Sequence, residues 1–145
     1  TVQGDPQVVK AAVKGRGAYS MKILAVTFLT SLDRDDLNQN MIKPGAIEDL
    51  AVSRAEKAIL AGADGVIASP KELTLLRKNR HCTKKIIVTP GIRPTKSATN
   101  DQKRVATPHE ALKNGASYLV IGRPISQAKD PLAAYEEIKT EISQS

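Results

Sequence analysis

The chain has 145 residues, a length typical of one domain. Hydrophobic residues make up 41% of it but aromatic residues only 3%, so its core must be aliphatic, as in helices packed on a parallel sheet. The net charge of +7 comes from scattered lysines and arginines without interleaved aromatics, so we expect no nucleic-acid partner. No apolar run reaches the roughly 18 residues of a membrane span, so we expect no membrane partner.

The first half of the chain alternates predicted helices and strands. Asp5 and Pro6 predict an N-cap and a first helical residue. The apolar run at residues 22–27 predicts a buried strand, and apolar residues that recur over about 46–61 predict an amphipathic helix. Residues 65–68 then predict the next strand.

The second half continues the same alternation. Ser69 and Thr107 each begin a Ser/Thr-Pro-x-Glu capping box, which predicts the start of a helix at both places. Residues 84–88 and 118–121 predict two further strands, and Asp130 with the proline after it predicts the start of the last helix. The predicted apolar face of that helix consists of Leu132, Tyr135, Ile138 and Ile142.

The single cysteine, Cys82, excludes an internal disulfide and fits a reducing cytoplasm. It lies in a loop rich in lysine and arginine, directly before the strand predicted at 84–88. Since no His, Asn or Asp constellation surrounds it in the sequence, we interpret it as an ordinary loop cysteine rather than a catalytic thiol.

Strands that alternate with helices predict parallel pairing with right-handed crossovers. The sequence contains four such strands, and residues 1–4 look like the end of a fifth. Two architectures fit this pattern. One is a free-standing flat sheet, and the other is a TIM (β/α)₈ barrel, which needs about 250 residues and of which this chain would be the second half.

Three segments that follow predicted strands suit an anion, and we call them together the phosphate wall: residues 89–94, 101–104 and 121–124. In α/β folds ligands bind at the carboxyl ends of strands. Gly91 allows the backbone to approach an anion, and Arg123 offers a guanidinium fork for phosphate oxygens. Each segment alone is more often a turn with a surface cation, so the prediction depends on their common order and placement.

These residues carry a family resemblance. The segments LAVTFLTS (24–31), ADGVIAS (63–69), VTPGIRP (88–94), DQKR (101–104) and YLVIGRPI (118–125) resemble orotidine 5′-phosphate decarboxylases in order and spacing. The resemblance extends from end to end of the chain. It implies that residues 1–145 are the C-terminal half of a single (β/α)₈ barrel domain, about strands 5–8 with their helices.

The resemblance also implies an activity. The expected reaction is decarboxylation of orotidine 5′-phosphate to uridine 5′-phosphate in de novo pyrimidine biosynthesis, without a metal or an organic cofactor. The expected protein is a cytoplasmic homodimer. Two alternatives stay open: a non-catalytic half-barrel module that binds phosphate, and a related sugar-phosphate decarboxylase.

Six positions match substrate-binding positions of the family. Thr30 matches a residue that hydrogen-bonds the pyrimidine, and Pro90 one that lies against the base. Arg93 matches a binding position at the root of a mobile loop, and Gln102 matches a residue that bridges phosphate and base. The pair that grips the phosphate is matched by Gly122 and Arg123.

One departure from the family is important. The family's catalytic Lys/Asp array lies in an Asp-x-Lys-x-x-Asp motif on an earlier strand, and this sequence contains no such motif. We therefore assign no catalytic residue to the chain. Because the chain begins at Thr1 without a methionine, we expect the motif upstream in a longer protein. The polar residues 95–100 are the expected lid loop.

Overall fold

The described part of the chain is built on one parallel sheet. The computed structural model of the protein describes residues 2–3, 5–35, 44–94 and 103–143. Within these ranges five strands follow one another across the sheet in chain order, and every neighbouring pair is parallel. Parallel pairing and the strand at the amino end are thus confirmed. The strands are β1 Val2–Gln3, β2 Leu24–Val26, β3 Gly65–Ile67, β4 Ile86–Thr89 and β5 Tyr118–Leu119.

Helices alternate with these strands. In the described ranges, none of them is long and apolar enough to cross a membrane. The helices are α1 Pro6–Arg16, α2 Ile47–Leu60, α3 Leu73–Lys78 with a 3₁₀ turn at Pro70–Glu72 before it, α4 Pro108–Lys113, α5 Arg123–Ser126 and α6 Pro131–Ser143.

The helix starts agree with the sequence signals. The Asp5 carboxylate accepts a hydrogen bond from the amide of Gln7 at 2.9 Å. Ser69 and Thr107 each form a complete capping box, and Asp130 accepts hydrogen bonds from two amides of the first turn of α6. The strands are shorter than the apolar runs that predict them, because an assigned strand ends where its ladder of hydrogen bonds ends.

One face of the sheet carries the main core. Ala25, Val66 and Ile87 lie in register across β2, β3 and β4, and each is at most 1% exposed. Four helices pack on this face. Right-handed crossovers between strands in sequential order put every helix on the same side of a sheet, which explains this arrangement. The helix residues of the core are Val9, Ala55, Ala58, Ile59, Leu73, Leu76 and Ala111.

The opposite face of the sheet is less covered. Val26, Ile67, Val88 and Tyr118 lie in register on that face. The first three are half-buried, whereas Tyr118 is 62% exposed and Val120, two residues along the chain, is 50% exposed. Apolar side chains therefore remain open to solvent at the β5 side of this face, within the part of the chain that the structure describes.

Helix α6 corrects one expectation. Of its four predicted apolar-face residues only Ile138 is buried, while Leu132 is 70% and Tyr135 46% exposed. The helix packs against α4 and α5. These two short neighbours cover only part of its apolar stripe, which is why the periodic pattern overestimates its burial.

Arg77 holds together the two segments that lead into the amino ends of β4 and β5. Its Nε donates to the carbonyl of Gly115 at 2.8 Å, and its Nη1 donates to the carbonyls of Thr83 and Lys85, each at 2.9 Å. Its Nη2 donates to the Ser117 hydroxyl at 3.1 Å. A planar fork with five donors suits such divergent acceptors, and an ammonium group does not.

We expect Arg77→Lys to lower the free energy of unfolding by about 2–3 kcal/mol, because a lysine cannot satisfy these carbonyls together. Urea unfolding of the protein measures this. The matched control is Arg80→Lys in the following exposed turn, which should stay within about 0.5 kcal/mol of the wild type. Equal effects of the two substitutions would contradict the proposed role of Arg77 in holding these segments together.

Asp64 holds the amino ends of β2 and β3 together. Its carboxylate accepts hydrogen bonds from the Ile23 amide at 2.8 Å and from Arg16 Nη1 at 2.6 Å, and Lys22 Nζ lies 3.8 Å away. Burial opposes ionisation of Asp64, but the Ile23 amide and the two cations outweigh it, so that the pKa of this carboxyl is lowered.

A lowered pKa in the folded state stabilises the fold above the pKa of the unfolded chain, and this stabilisation is lost as the pH falls through the folded-state pKa. We therefore expect Asp64→Asn to cost about 1 kcal/mol at pH 7 and progressively less below about pH 4. Urea midpoints at pH 7 and pH 3 measure the change. Glu137→Gln on the exposed side of α6 is the control, and a penalty for Asp64→Asn that persists unchanged at pH 3 would refute the assignment.

Candidate functional site

The chain turns sharply where β4 ends. Gly91 has a φ of +75°, and a Cβ there would lie 2.9 Å from the carbonyl oxygen of Arg104 and 3.2 Å from Thr30 Cγ2. Only glycine fits both the backbone conformation and the space. The Arg93 amide then donates to the carbonyl of Ala106 at 2.9 Å, which attaches the turn to a second segment.

That second segment, residues 103–106, is here called the strap. It runs beside the turn at Gly91 and also reaches the end of β2. The Lys103 amide donates to the carbonyl of Thr30 at 3.3 Å, and Lys103 Nζ forms an ion pair with Asp33 at 2.7 Å. The strap therefore joins the carboxyl ends of two strands that are not neighbours in the sheet.

A buried ion pair anchors the strap. Arg104 donates through Nη1 to the carboxylate of Glu72, and through Nη2 to the carbonyl of Leu29 at 3.0 Å. Glu72 is 0% and Arg104 6% exposed. The same carboxylate accepts hydrogen bonds from the Ser69 amide at 3.0 Å and the Thr27 hydroxyl at 3.3 Å.

This ion pair removes Arg104 from the predicted phosphate wall. The sequence counts Arg104 among its anion-binding groups, but the structure turns the guanidinium inward onto Glu72. Its charge is already balanced, and the side chain is closed to solvent. Burial raises the pKa of Glu72, while the Arg104 guanidinium and the hydrogen bonds from Ser69 and Thr27 oppose that rise.

Thr30 and Arg93 are both buried, at 6% and 7% exposure. The Thr30 methyl group faces Gly91, and Arg93 Nη1 donates to the carbonyl of Ile92 at 2.8 Å. Pro90, which directly precedes Gly91 in the turn, is half-buried. The structure thus brings together Thr30 and residues 90–93, which are about 60 residues apart in the sequence.

Gly122 and Arg123 leave the same edge of the sheet from β5. The Val120 amide donates to the carbonyl of Thr89 at 2.9 Å, so that the segments after β4 and β5 depart side by side. Gly122 is exposed, with no atom within 4 Å of where a Cβ would lie. Arg123 is half-buried and begins α5.

Five of the six expected binding residues therefore lie at the carboxyl edge of the parallel sheet. The sixth, Gln102, and the expected lid at 95–100 lie outside the described residues. No group of three His, Cys, Asp or Glu side chains that could hold a metal occurs in the described ranges. Cys82 lies in a turn, as expected, but it is fully buried in the core, and burial raises the pKa of its thiol.

The second role of Glu72 is not predictable from the sequence. The sequence pattern places this residue only in the capping box that begins at Ser69, and that assignment is correct. One carboxylate oxygen makes the box and the other meets Arg104, which is 32 residues away. The apolar residues Leu73, Leu75 and Leu76 that follow Glu72 are the signal that could have indicated burial, but nothing in the sequence indicates its partner.

Comparisons with known proteins identify the family. The sequence model described as "Orotidine 5'-phosphate decarboxylase / HUMPS family" matches residues 1–138. A protein named orotidine 5′-phosphate decarboxylase from Cereibacter sphaeroides is 53% identical over 142 residues, which are 98% of this chain and 61% of that protein. One of the same name from Ruegeria pomeroyi is 52% identical over 143 residues, 99% of this chain and 60% of that protein.

A solved structure agrees with the sequence relatives. The crystal structure of orotidine 5′-phosphate decarboxylase from Lactobacillus acidophilus superimposes with a TM-score of 0.73 at 40% identity, covering 95% of this chain and 59% of that one. The chain belongs to the orotidine 5′-phosphate decarboxylase / HUMPS family, and the resemblance is confirmed. Such neighbours imply a TIM barrel as the fold class. The chain spans about 60% of the length of its curated relatives.

We expect Gly91→Ala to destabilise the protein by at least about 2 kcal/mol, because a positive φ and contacts with two segments both oppose a methyl group. Thermal or urea unfolding measures this. The control is Gly15→Ala in α1, where nothing lies within 4 Å of the added methyl, and a gain of roughly 0.5–1 kcal/mol is expected there. A neutral Gly91→Ala would contradict the close packing of strap and turn.

Proposed function

We propose that this chain is the C-terminal half of an orotidine 5′-phosphate decarboxylase, a single (β/α)₈ barrel domain that converts orotidine 5′-phosphate to uridine 5′-phosphate. In this proposal the chain binds the pyrimidine and the phosphate, and residues 95–100 form the lid. The catalytic Lys/Asp array belongs to a segment upstream of this chain. The supporting observation is the contact between Thr30 and Gly91, which joins two family motifs at one edge of the sheet.

Three observations support the half-barrel. Strands in sequential order with helices on one face leave the second face to be buried by closure of the sheet on itself. The exposed Tyr118 and Val120 lie on that second face, at the last strand, where a closing strand would cover them. The chain spans 61% of the length of its Cereibacter sphaeroides relative, and the remaining length of that protein could contain the missing strands.

The reaction leaves a carbanion at C6 of the pyrimidine, so the protein must stabilise the developing charge and deliver a proton. The residues of this chain act at a distance from C6. Thr30 and Pro90 orient the base, while Arg123 and the amides near Gly122 hold the phosphate. Binding energy at the phosphate is useful only if it fixes the base against the catalytic array, since uniform binding of substrate and transition state does not raise kcat.

The names of the relatives favour the decarboxylase over a non-catalytic phosphate-binding module. The homodimer, the cytoplasmic location and the roles of Arg93 and Gln102 stay predictions from the resemblance. The test protein for all of them is a chimera in which residues 1–145 are joined to the segment of the Cereibacter sphaeroides relative that this chain does not cover.

Arg123→Ala in this chimera should remove a charge-assisted contact of roughly 1.5–3 kcal/mol, or about 10-fold to 150-fold in kcat/KM for orotidine 5′-phosphate. Part of the loss should appear in kcat, because phosphate binding helps to position the base. Orotidine, which lacks the phosphate, should be turned over by variant and wild type at nearly the same rate.

Lys129→Ala, which removes an exposed cation from the same region, is the matched control and should change neither substrate's turnover. If Arg123→Ala slows both substrates by the same factor, its role is structural and the phosphate assignment is wrong. If the unaltered chimera decarboxylates nothing, the proposed activity itself is wrong.

A further inference from the structure

We infer that Glu72 and Arg104 are a positioning pair: their buried ion pair sets the distance between Thr30 and the turn at residues 90–93, and thereby fixes the place of the pyrimidine. The inference deepens the proposed function and rests on it. Neither side chain meets the substrate. Both act through the backbone segments that they hold.

The contacts of Arg104 reach the ends of three strands. Nη1 meets Glu72 after β3, and Nη2 meets the carbonyl of Leu29 after β2. The backbone of the strap, in turn, pairs with the turn after β4 through Ala106. The Arg104 side chain and the backbone of the strap together therefore limit how far apart the ends of β2, β3 and β4 can lie.

Glu72 is itself immobilised. The Ser69 amide and the Thr27 hydroxyl both donate to Oε2, so that Oε1 points at the strap. A carboxylate with two donors on one oxygen has little freedom to follow a displaced partner. Loss of either ionic partner would leave a buried group without its counter-charge. A guanidinium cannot give up its proton, so loss of the Glu72 charge can be relieved only by moving Arg104, and with it the strap.

The packing at Gly91 transmits any such movement to the base site. The carbonyl oxygen of Arg104 lies 2.9 Å and Thr30 Cγ2 lies 3.2 Å from the place that a Gly91 Cβ would occupy. The Thr30 carbonyl also accepts from the Lys103 amide. Strap, turn and Thr30 are thus in mutual contact, and a shift of the Arg104 backbone displaces the other two.

The test uses the chimera with Glu72→Gln and, separately, Arg104→Lys. Each should lower kcat/KM at least 10-fold for orotidine 5′-phosphate and, by a similar factor, for orotidine. Equal factors are expected because the pair positions the base, which both substrates share. This result differs from that for Arg123, whose removal should slow only the phosphorylated substrate.

A structural role alone is excluded with two further variants. Arg77→Lys is the matched control, since it weakens an arginine clamp at the opposite end of the strands and should leave kcat/KM per folded molecule within 2-fold. The double variant Glu72→Gln/Arg104→Met removes both charges, so that urea unfolding should recover towards the wild type while turnover stays low.

Three outcomes overturn the inference. The first is a double variant that regains turnover together with stability. The second is an Arg77→Lys chimera that loses as much turnover as Arg104→Lys at equal stability. The third is a wild-type chimera that decarboxylates nothing, which overturns the proposed function and this inference with it. If the chimera is active and either of the first two results is found, the positioning role of Glu72 and Arg104 is rejected while the proposed function stands.

Discussion

The strictly sequential order of the parallel strands is the constraint on which the rest of the structure depends. Right-handed crossovers between strands in this order place the intervening helices on one face, and α1 to α4 pack there against the buried row of Ala25, Val66 and Ile87. Parallel pairing of every neighbouring strand brings all carboxyl ends of the strands to one edge. Segments far apart in the sequence therefore meet there, and Thr30 comes to lie against Gly91.

Two arginines at opposite edges of the sheet, Arg77 and Arg104, are held in different ways. At the amino edge, Arg77 donates to carbonyls and a hydroxyl, and no carboxylate is among its described hydrogen-bond acceptors, so it fixes turns by geometry. At the carboxyl edge, Arg104 pairs with the fully buried Glu72. A buried ion pair adds little net stability compared with apolar packing, but it is demanding in geometry. A buried ion pair therefore suits the carboxyl edge, where the site residues must be held in fixed positions. The turns that Arg77 joins at the amino edge need only be closed.

Local signals predicted local structure well. Asp5, Ser69, Thr107 and Asp130 all cap helices as expected, because a cap depends on residues within one turn. Pairings between segments that are distant in the chain could not be predicted from the sequence. Glu72 looked like half of a capping box, and Arg104 like an anion-binding cation, since nothing local shows that each is the other's partner.

The neutralisation of Arg104 changes where the charge of the site resides. Among the described residues of the phosphate wall, Arg93 and Arg104 are buried, and Lys103 forms an ion pair with Asp33. Arg123 is the half-buried cation at the start of α5, beside the exposed Gly122. Under the proposed function the phosphate then depends on one guanidinium fork and backbone amides, more than on a general basic field. Recognition of this kind fixes the direction of the ligand, because a fork and amides are directional where scattered charges are not.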